Sequence, residues 1–273
     1  VFYKEDGSAD TYFIPAELPV HTFIDTQIIA ESPDEYFWAG IGDAFSKGPE
    51  VELSSREVEL LHSPLMGRAL AAGACIEPLF DNAEQALADK RAGIVSEAFE
   101  NVVLNIIITA GVVSNMTTNI GAERGAYYFN SSTAHAFYNA FTALGERGEK
   151  HLHGEVVSFG TCVLYAFDGN LKALEEQVAL NGKLGLPTTL ADLDITPESV
   201  DADLDVIVER AQKTNEWGRA PYGFTTDRFR QAILDTDAYG RAVAAGEKDP
   251  EAAALDAIAA HAPSAETAVP RKM

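Results

Sequence analysis

A mainly helical domain with a short strand-forming segment at its N-terminal end is the fold class that the sequence predicts, and three observations predict it. Apolar residues recur at helical spacing over most of the chain, as at Leu171, Leu174 and Val178. Helix-start and helix-stop residues punctuate that pattern. Strand-like runs are confined to the first 25 residues. With 273 residues, 47% of them hydrophobic and 23% charged, the chain has an ordinary globular composition and the length for one large or two modest domains.

Val1-Phe2-Tyr3, Thr11-Tyr12-Phe13-Ile14 and Val20-His21-Thr22-Phe23-Ile24 read as strands, with Asp6-Gly7-Ser8 as the turn of a hairpin. Two or three strands alone make no stable sheet, so segment 1–25 reads as an appendage to a helical domain over 26–262. Ser32-Pro33-Asp34 opens a helix, with a capping serine and proline at the first position, and Gly48-Pro49 is expected to stop it. Further helices are expected at 54–80, 83–91, 94–118, 133–146, 154–168, 171–184, 198–213, 227–245 and 250–261. The Gly-Leu-Pro within Gly182 to Leu190 marks a loop, and residues 263–273 are expected to fray. The apolar run Val102 to Val113 is shorter than the ~20 residues that span a bilayer and reads as a buried helix.

The 20 basic and 42 acidic residues give a formal charge of −22. That balance argues against nucleic-acid backbones and anionic membranes as partners, and reads as a solvation trait. Cys75 and Cys162 lie in apolar stretches with no C-x-x-C spacing, as reduced core cysteines do. The start Val1-Phe2-Tyr3-Lys4-Glu5-Asp6 has no basic region followed by an apolar stretch, so a cytoplasmic protein is expected.

Three of the six histidines, His135, His151 and His153, fall within 19 positions. Imidazole is a common ligand for zinc and iron, and a catalytic metal site needs three protein ligands and one open position. By spacing alone a core or surface histidine remains the better reading of His135 and His153, and His151 reads as a solvated loop residue. Among the carboxylates Asp43 stands apart, because Ala39-Gly40-Ile41-Gly42-Asp43-Ala44-Phe45 is apolar and an unpaired aspartate there is costly to bury. A nearby cation would remove that cost, as would capping of a neighbouring helix. The sequence has no P-loop, no G-x-S-x-G, no H-E-x-x-H and no complete dinucleotide-binding G-x-G-x-x-G.

Four motifs in order carry a resemblance. They are Gly40-Ile41-Gly42-Asp43-Ala44, Ala134-His135-Ala136-x-x-Asn139-Ala140-Phe141-Thr142, His153-Gly154-Glu155-x-Val157-x-Phe159-Gly160-Thr161, and Leu184-Gly185-Leu186-Pro187-Thr188-Thr189-Leu190-Ala191-Asp192-Leu193. Together they resemble the C-terminal part of the glycerol dehydrogenases, within the dehydroquinate synthase-like, iron-containing alcohol dehydrogenase superfamily, over residues 1 to about 245. The resemblance implies a helical domain holding a divalent metal, Zn2+ or Fe2+, through Asp43, His135 and His153. It also implies an α/β domain binding NAD, whose glycine-rich loop belongs upstream of residue 1 and whose tail is segment 1–25.

The implied reaction is hydride transfer from an alcohol or polyol to NAD, in a homo-oligomer. Asn139, one turn after His135, could face the same pocket and orient substrate or cofactor, or could be a solvent-exposed asparagine. The four-ligand iron branch has a histidine one turn after the aspartate; Lys47 stands there, which favours the three-ligand branch. Glu123-Arg124-Gly125-Ala126-Tyr127-Tyr128-Phe129 departs from the family's small residues, so Arg124 is a candidate partner for the carboxylate of a 2-hydroxy acid, or for a surface carboxylate. Related superfamily activities on dehydroquinate-like or glycerol-1-phosphate-like substrates, and a non-catalytic helical interaction domain, are the alternatives.

Overall fold

A computed structural model describes residues 2–5, 9–11, 19–119 and 126–263. Phe2–Tyr3 (β1) and Ala9–Thr11 (β2) pair antiparallel, as the hairpin reading expects. Its turn, residues 12–14 of the second expected strand, Arg124 and nearly all of the expected tail lie outside the described residues. Val20 to Ile24 is not a strand: the segment has no pairing partner among the described residues, and Val20 and Phe23 are exposed. Without a neighbour to take up its backbone hydrogen bonds, β propensity alone does not make a strand.

From Thr26 onward the regular elements of the described chain are helices, apart from a two-residue pair formed by Thr118–Asn119 (β3) and Tyr127–Tyr128 (β4) and isolated bridge residues at Val58 and Tyr222. The helices are α1 (Thr26–Glu31), α2 (Asp34–Ala44), α3 (Lys47–Ser55), α4 (His62–Ala72), α5 (Glu77–Arg91), α6 (Glu97–Leu104) and α7 (Ala110–Met116). They continue with α8 (Thr133–Phe141), α9 (Glu146–Lys150), α10 (His153–Asp168), α11 (Leu171–Leu184), α12 (Val200–Ala211), α13 (Thr226–Ala245) and α14 (Lys248–His261).

Gly48-Pro49 does not stop a helix; it lies in the first turn of α3. Backbone N–H groups of a first turn have no intrahelical acceptor, so proline loses nothing there. The real break is at Phe45-Ser46, where both the amide and the hydroxyl of Ser46 donate to the Asp43 carbonyl, at 3.0 and 2.8 Å. The expected 54–80 helix is three pieces. Glu57 takes a left-handed φ of 58°, and Arg56 is drawn across to Asp168 at 2.7 Å. The expected 133–146 helix ends as α8 at Phe141 and passes through a short 3-10 turn to Gly145, whose φ of 62° resets the chain.

The run Val102 to Val113 is helical, with a π-turn at Asn105–Thr109 between α6 and α7. It is buried on one face only. Val102, Val103, Asn105 and Val113 are covered while Leu104 and Ile107 are exposed, and the whole stretch Glu97–Met116 is long and apolar enough to cross a membrane by length and composition.

Helix α10 is the axis of the domain. Every residue from Val156 to Phe167 is buried, because the helix is apolar or small on all sides and neighbours surround it. Its hydroxyls are satisfied within the helix, Ser158 on the Glu155 carbonyl at 2.7 Å and Thr161 on the Val157 carbonyl at 3.0 Å. The largest core joins α8, α10, α12 and α13, and a second joins α2, α5 and α6. Cys75 and Cys162 are free and buried, as expected.

Candidate metal centre

The three candidate ligands come from three helices that α10 holds together. Asp43 is in the last turn of α2, His135 in the first turn of α8, and His153 is the first residue of α10. Glycines permit the close approach. A Cβ on Gly154 would lie 1.8 Å from the Ala39 carbonyl oxygen, and one on Gly42 would lie 2.4 Å from the Gly154 carbonyl oxygen, so α2 and α10 touch backbone to backbone. Farther along α10, a Cβ on Gly160 would lie 2.6 Å from the Ala134 carbonyl oxygen of α8.

These contacts bring one donor atom from each of Asp43, His135 and His153 within 4.8 Å of one another. His153 Nε2 lies 3.0 Å and His135 Nε2 lies 3.5 Å from Asp43 Oδ1. Tetrahedral coordination at ~2.0–2.2 Å separates its donor atoms by about 3.3–3.6 Å, so a carboxylate and two imidazoles at these spacings fit a divalent ion. The side chains of Asp43 and His153 are 43% and 35% exposed against 14% for His135, so the open side of the cluster is on the Asp43–His153 side.

Glu50, unmarked in the sequence, is the principal partner of His135. Its side chain is fully buried on α3, and Oε2 lies 2.6 Å from His135 Nδ1. Its other oxygen accepts the backbone N–H groups of Ser132 and His135 at 2.8 and 3.0 Å. A carboxylate from a distant helix thus caps α8, while the Ser132 hydroxyl, in the usual capping position, makes no cap hydrogen bond. Lys47 is turned from the cluster to Asn130, donating to Oδ1 at 2.8 Å.

Burial alone would lower the His135 pKa, but the charge of Glu50 and the hydrogen bonds to Asp43 and Glu50 outweigh it and push the imidazole up to about 10. Burial alone would raise Asp43, and the His153 charge with both imidazole hydrogen bonds holds its carboxyl well below the ordinary range instead. Glu50 is lowered in the same way, with His135 outweighing burial.

The signs give a pH window for the metal-free protein. The His135 contribution to stability is fully present below its ordinary pKa of 6.5 and is lost as pH rises through about 10. The Asp43 contribution is present above its ordinary 3.8 and is lost as pH falls below it. Chelator-treated protein is therefore expected to melt at progressively lower temperature from pH 6.5 to 10, and His135→Gln to flatten that decline. An equal slope in both proteins refutes the assignment.

The remaining sequence candidates fall elsewhere. His151 is not solvated: its side chain is 7% exposed, between Glu155 at 2.9 Å and Asp194 at 3.1 Å. Those two carboxylates and the edge contact with Phe141, 5.8 Å between centroids, cover it where loop position alone suggested solvent. Asn139 is buried and donates to Glu216 at 3.2 Å. Glu216 also accepts from the Tyr128 and Ser131 hydroxyls, each at 3.1 Å. Of this polar network the sequence marked Asn139 but not Glu216, on which the hydrogen bonds converge.

No protein-family model matches the chain. It is 31% identical over 246 residues to a glycerol dehydrogenase of Escherichia coli O6:H1 (strain CFT073), covering 88% of this chain and 63% of that protein. The crystal structure of a probable glycerol dehydrogenase from Sinorhizobium meliloti 1021 matches at a TM-score of 0.75 and 27% identity, over 88% of this chain and 65% of that one. The chain is a relative of the glycerol dehydrogenases. It spans a little under two thirds of the length of these glycerol dehydrogenase relatives. Hydroxycarboxylate dehydrogenase A of Escherichia coli (strain K12) is similar as well, at 28% identity over 88% of this chain and 64% of that protein.

Proposed function

We propose that this chain supplies the metal centre of an NAD-linked alcohol or polyol dehydrogenase, with Asp43, His135 and His153 as ligands. The convergence of these three donors from three helices within 4.8 Å carries the reading. Zinc is the ion proposed, with Fe2+ the alternative that two imidazoles and a carboxylate also take. When bound, such an ion supplies Lewis acidity to a substrate hydroxyl.

The chain's own residues do the positioning. Asp43 and His153 form the solvent-facing side, where a small alcohol would enter, and His135 forms the floor. Asp43 brings one negative charge to the ligand set and Glu50 a second through His135, so the two together offset a dication. Relatedness to the glycerol dehydrogenases favours a glycerol-like substrate. NAD as hydride acceptor rests on the same kinship, since the sequence carries no complete dinucleotide fingerprint.

Metal analysis and a substrate panel test the proposal. One equivalent of zinc or iron per chain is expected, removed by chelator and restored on adding the ion. Failure of the metal-free protein to take up either ion removes the catalytic reading. A panel of glycerol, simple diols and 2-hydroxy acids with NAD and NADP addresses substrate. The similarity to a hydroxycarboxylate dehydrogenase makes the hydroxy acids the second reading. If that reading holds, Arg124→Ala lowers the preference for acids over diols; an unchanged preference removes Arg124 from the pocket.

A further inference from the structure

We propose, resting on the metal site above, that Glu50 selects which nitrogen of His135 faces the ion. A neutral imidazole has one protonated and one free nitrogen, and only the free one binds a metal. Glu50 Oε2 lies 2.6 Å from Nδ1. An ionised carboxylate can only accept, so it holds the proton on Nδ1, and Nε2, 3.5 Å from Asp43 Oδ1, is the nitrogen left to exchange its proton for an ion.

The carboxylate cannot swivel out of this role. Its second oxygen is fixed by the backbone N–H groups of Ser132 and His135, and its side chain is fully buried. Glu50 is thus a positioning residue that acts through His135. The helix cap and the choice of nitrogen are one device: the group that starts α8 also orients the histidine in its first turn.

Glu50→Gln separates the two duties. The amide oxygen must still face the two N–H groups, because the alternative orientation sets an NH2 against them. The NH2 then faces Nδ1, which must accept, and the ring proton moves to Nε2, where it blocks the ion. The cap survives while the tautomer inverts.

Two measurements on the purified protein test this. Long-range proton–nitrogen NMR of the zinc-loaded, histidine-labelled wild-type protein is expected to find His135 protonated at Nδ1 and metal-bound at Nε2. Competition with a chromogenic chelator is expected to find Glu50→Gln roughly 10–100-fold weaker for zinc, the range for loss of an outer hydrogen-bond partner of a metal ligand. Glu50→Asp, which keeps an acceptor-only group, is expected to recover part of that loss.

A zinc-loaded wild type with the proton on Nε2 of His135 overturns the proposal without need of any variant. A folded Glu50→Gln protein that binds zinc within twofold of wild type also overturns it. Wild-type protein that binds neither zinc nor iron instead removes the metal site, so the two failures are distinct.

Discussion

Gly154→Ala is expected to cost both the fold and the metal. The new methyl group would stand 1.8 Å from the Ala39 carbonyl oxygen, 2.6 Å from its carbon and 2.9 Å from the Asp43 amide nitrogen, all of them backbone atoms. No side-chain rotation relieves the contact, so α2 and α10 must part. Overpacking of this kind costs about 3 kcal/mol or more. At ~2–4 °C per kcal/mol for a domain of this size, the melting temperature falls by about 6–12 °C.

Parting the helices also moves Asp43 away from His153, now 3.0 Å apart, so zinc binding is expected to fall with stability. Gly182→Ala is the matched control. That glycine is exposed within α11, and an added Cβ meets nothing within 4 Å. Alanine there is expected to stabilise by about 0.5–1 kcal/mol. Calorimetry of both variants decides the matter, and a Gly154→Ala protein that melts with the wild type would falsify the close-contact account.

His153→Ala is expected to abolish stoichiometric zinc while leaving the domain folded. The ring is the first residue of α10, with its side chain 35% exposed, and it makes an edge contact with Tyr138 at 4.1 Å between centroids. Removing it deletes a proposed ligand and little of the core. The affinity loss should exceed the ~10–100-fold typical of an outer partner, since a coordinating atom itself is gone. Asp43→Asn is expected to match it, because the amide keeps the shape and loses the charge. Metal content by mass spectrometry with circular dichroism as the folding control reads both outcomes. A folded His153→Ala protein with one tightly held zinc would show that the ion, if present, is held by other groups.

What the sequence made legible follows from which signals are local. Asp43, His135 and His153 sit inside recognisable motifs, and those positions converge in space. Glu50 could not be found in the same way, being one of 42 acidic residues whose partner is 85 positions away. The demand for a partner shows only in the structure, where α3 is buried on nearly every side. Gly48-Pro49 misled because the same dipeptide ends one helix or begins another, and the deciding hydrogen bonds belong to Ser46. The long helix expected over 54–80 failed because Arg56 reaches Asp168, a pull that no local propensity records. His151 failed for the converse reason, since loop position says nothing of what packs over a loop.

The backbone contact between Gly42 and Gly154 sets a fixed gauge for any ion held in the cluster. Two helices already touching cannot draw closer, and the cores on either side resist their spreading. In the proposed site the donors ride on that contact, so the bore is set by helix geometry more than by the softness of side chains. Ions that bind nitrogen and oxygen at ~2.0–2.2 Å seat without strain, whereas calcium, at ~2.3–2.6 Å, has to prise the helices apart. Discrimination by size in the proposed site would then be an elastic property of the scaffold, added to the preference that two imidazoles and a carboxylate express.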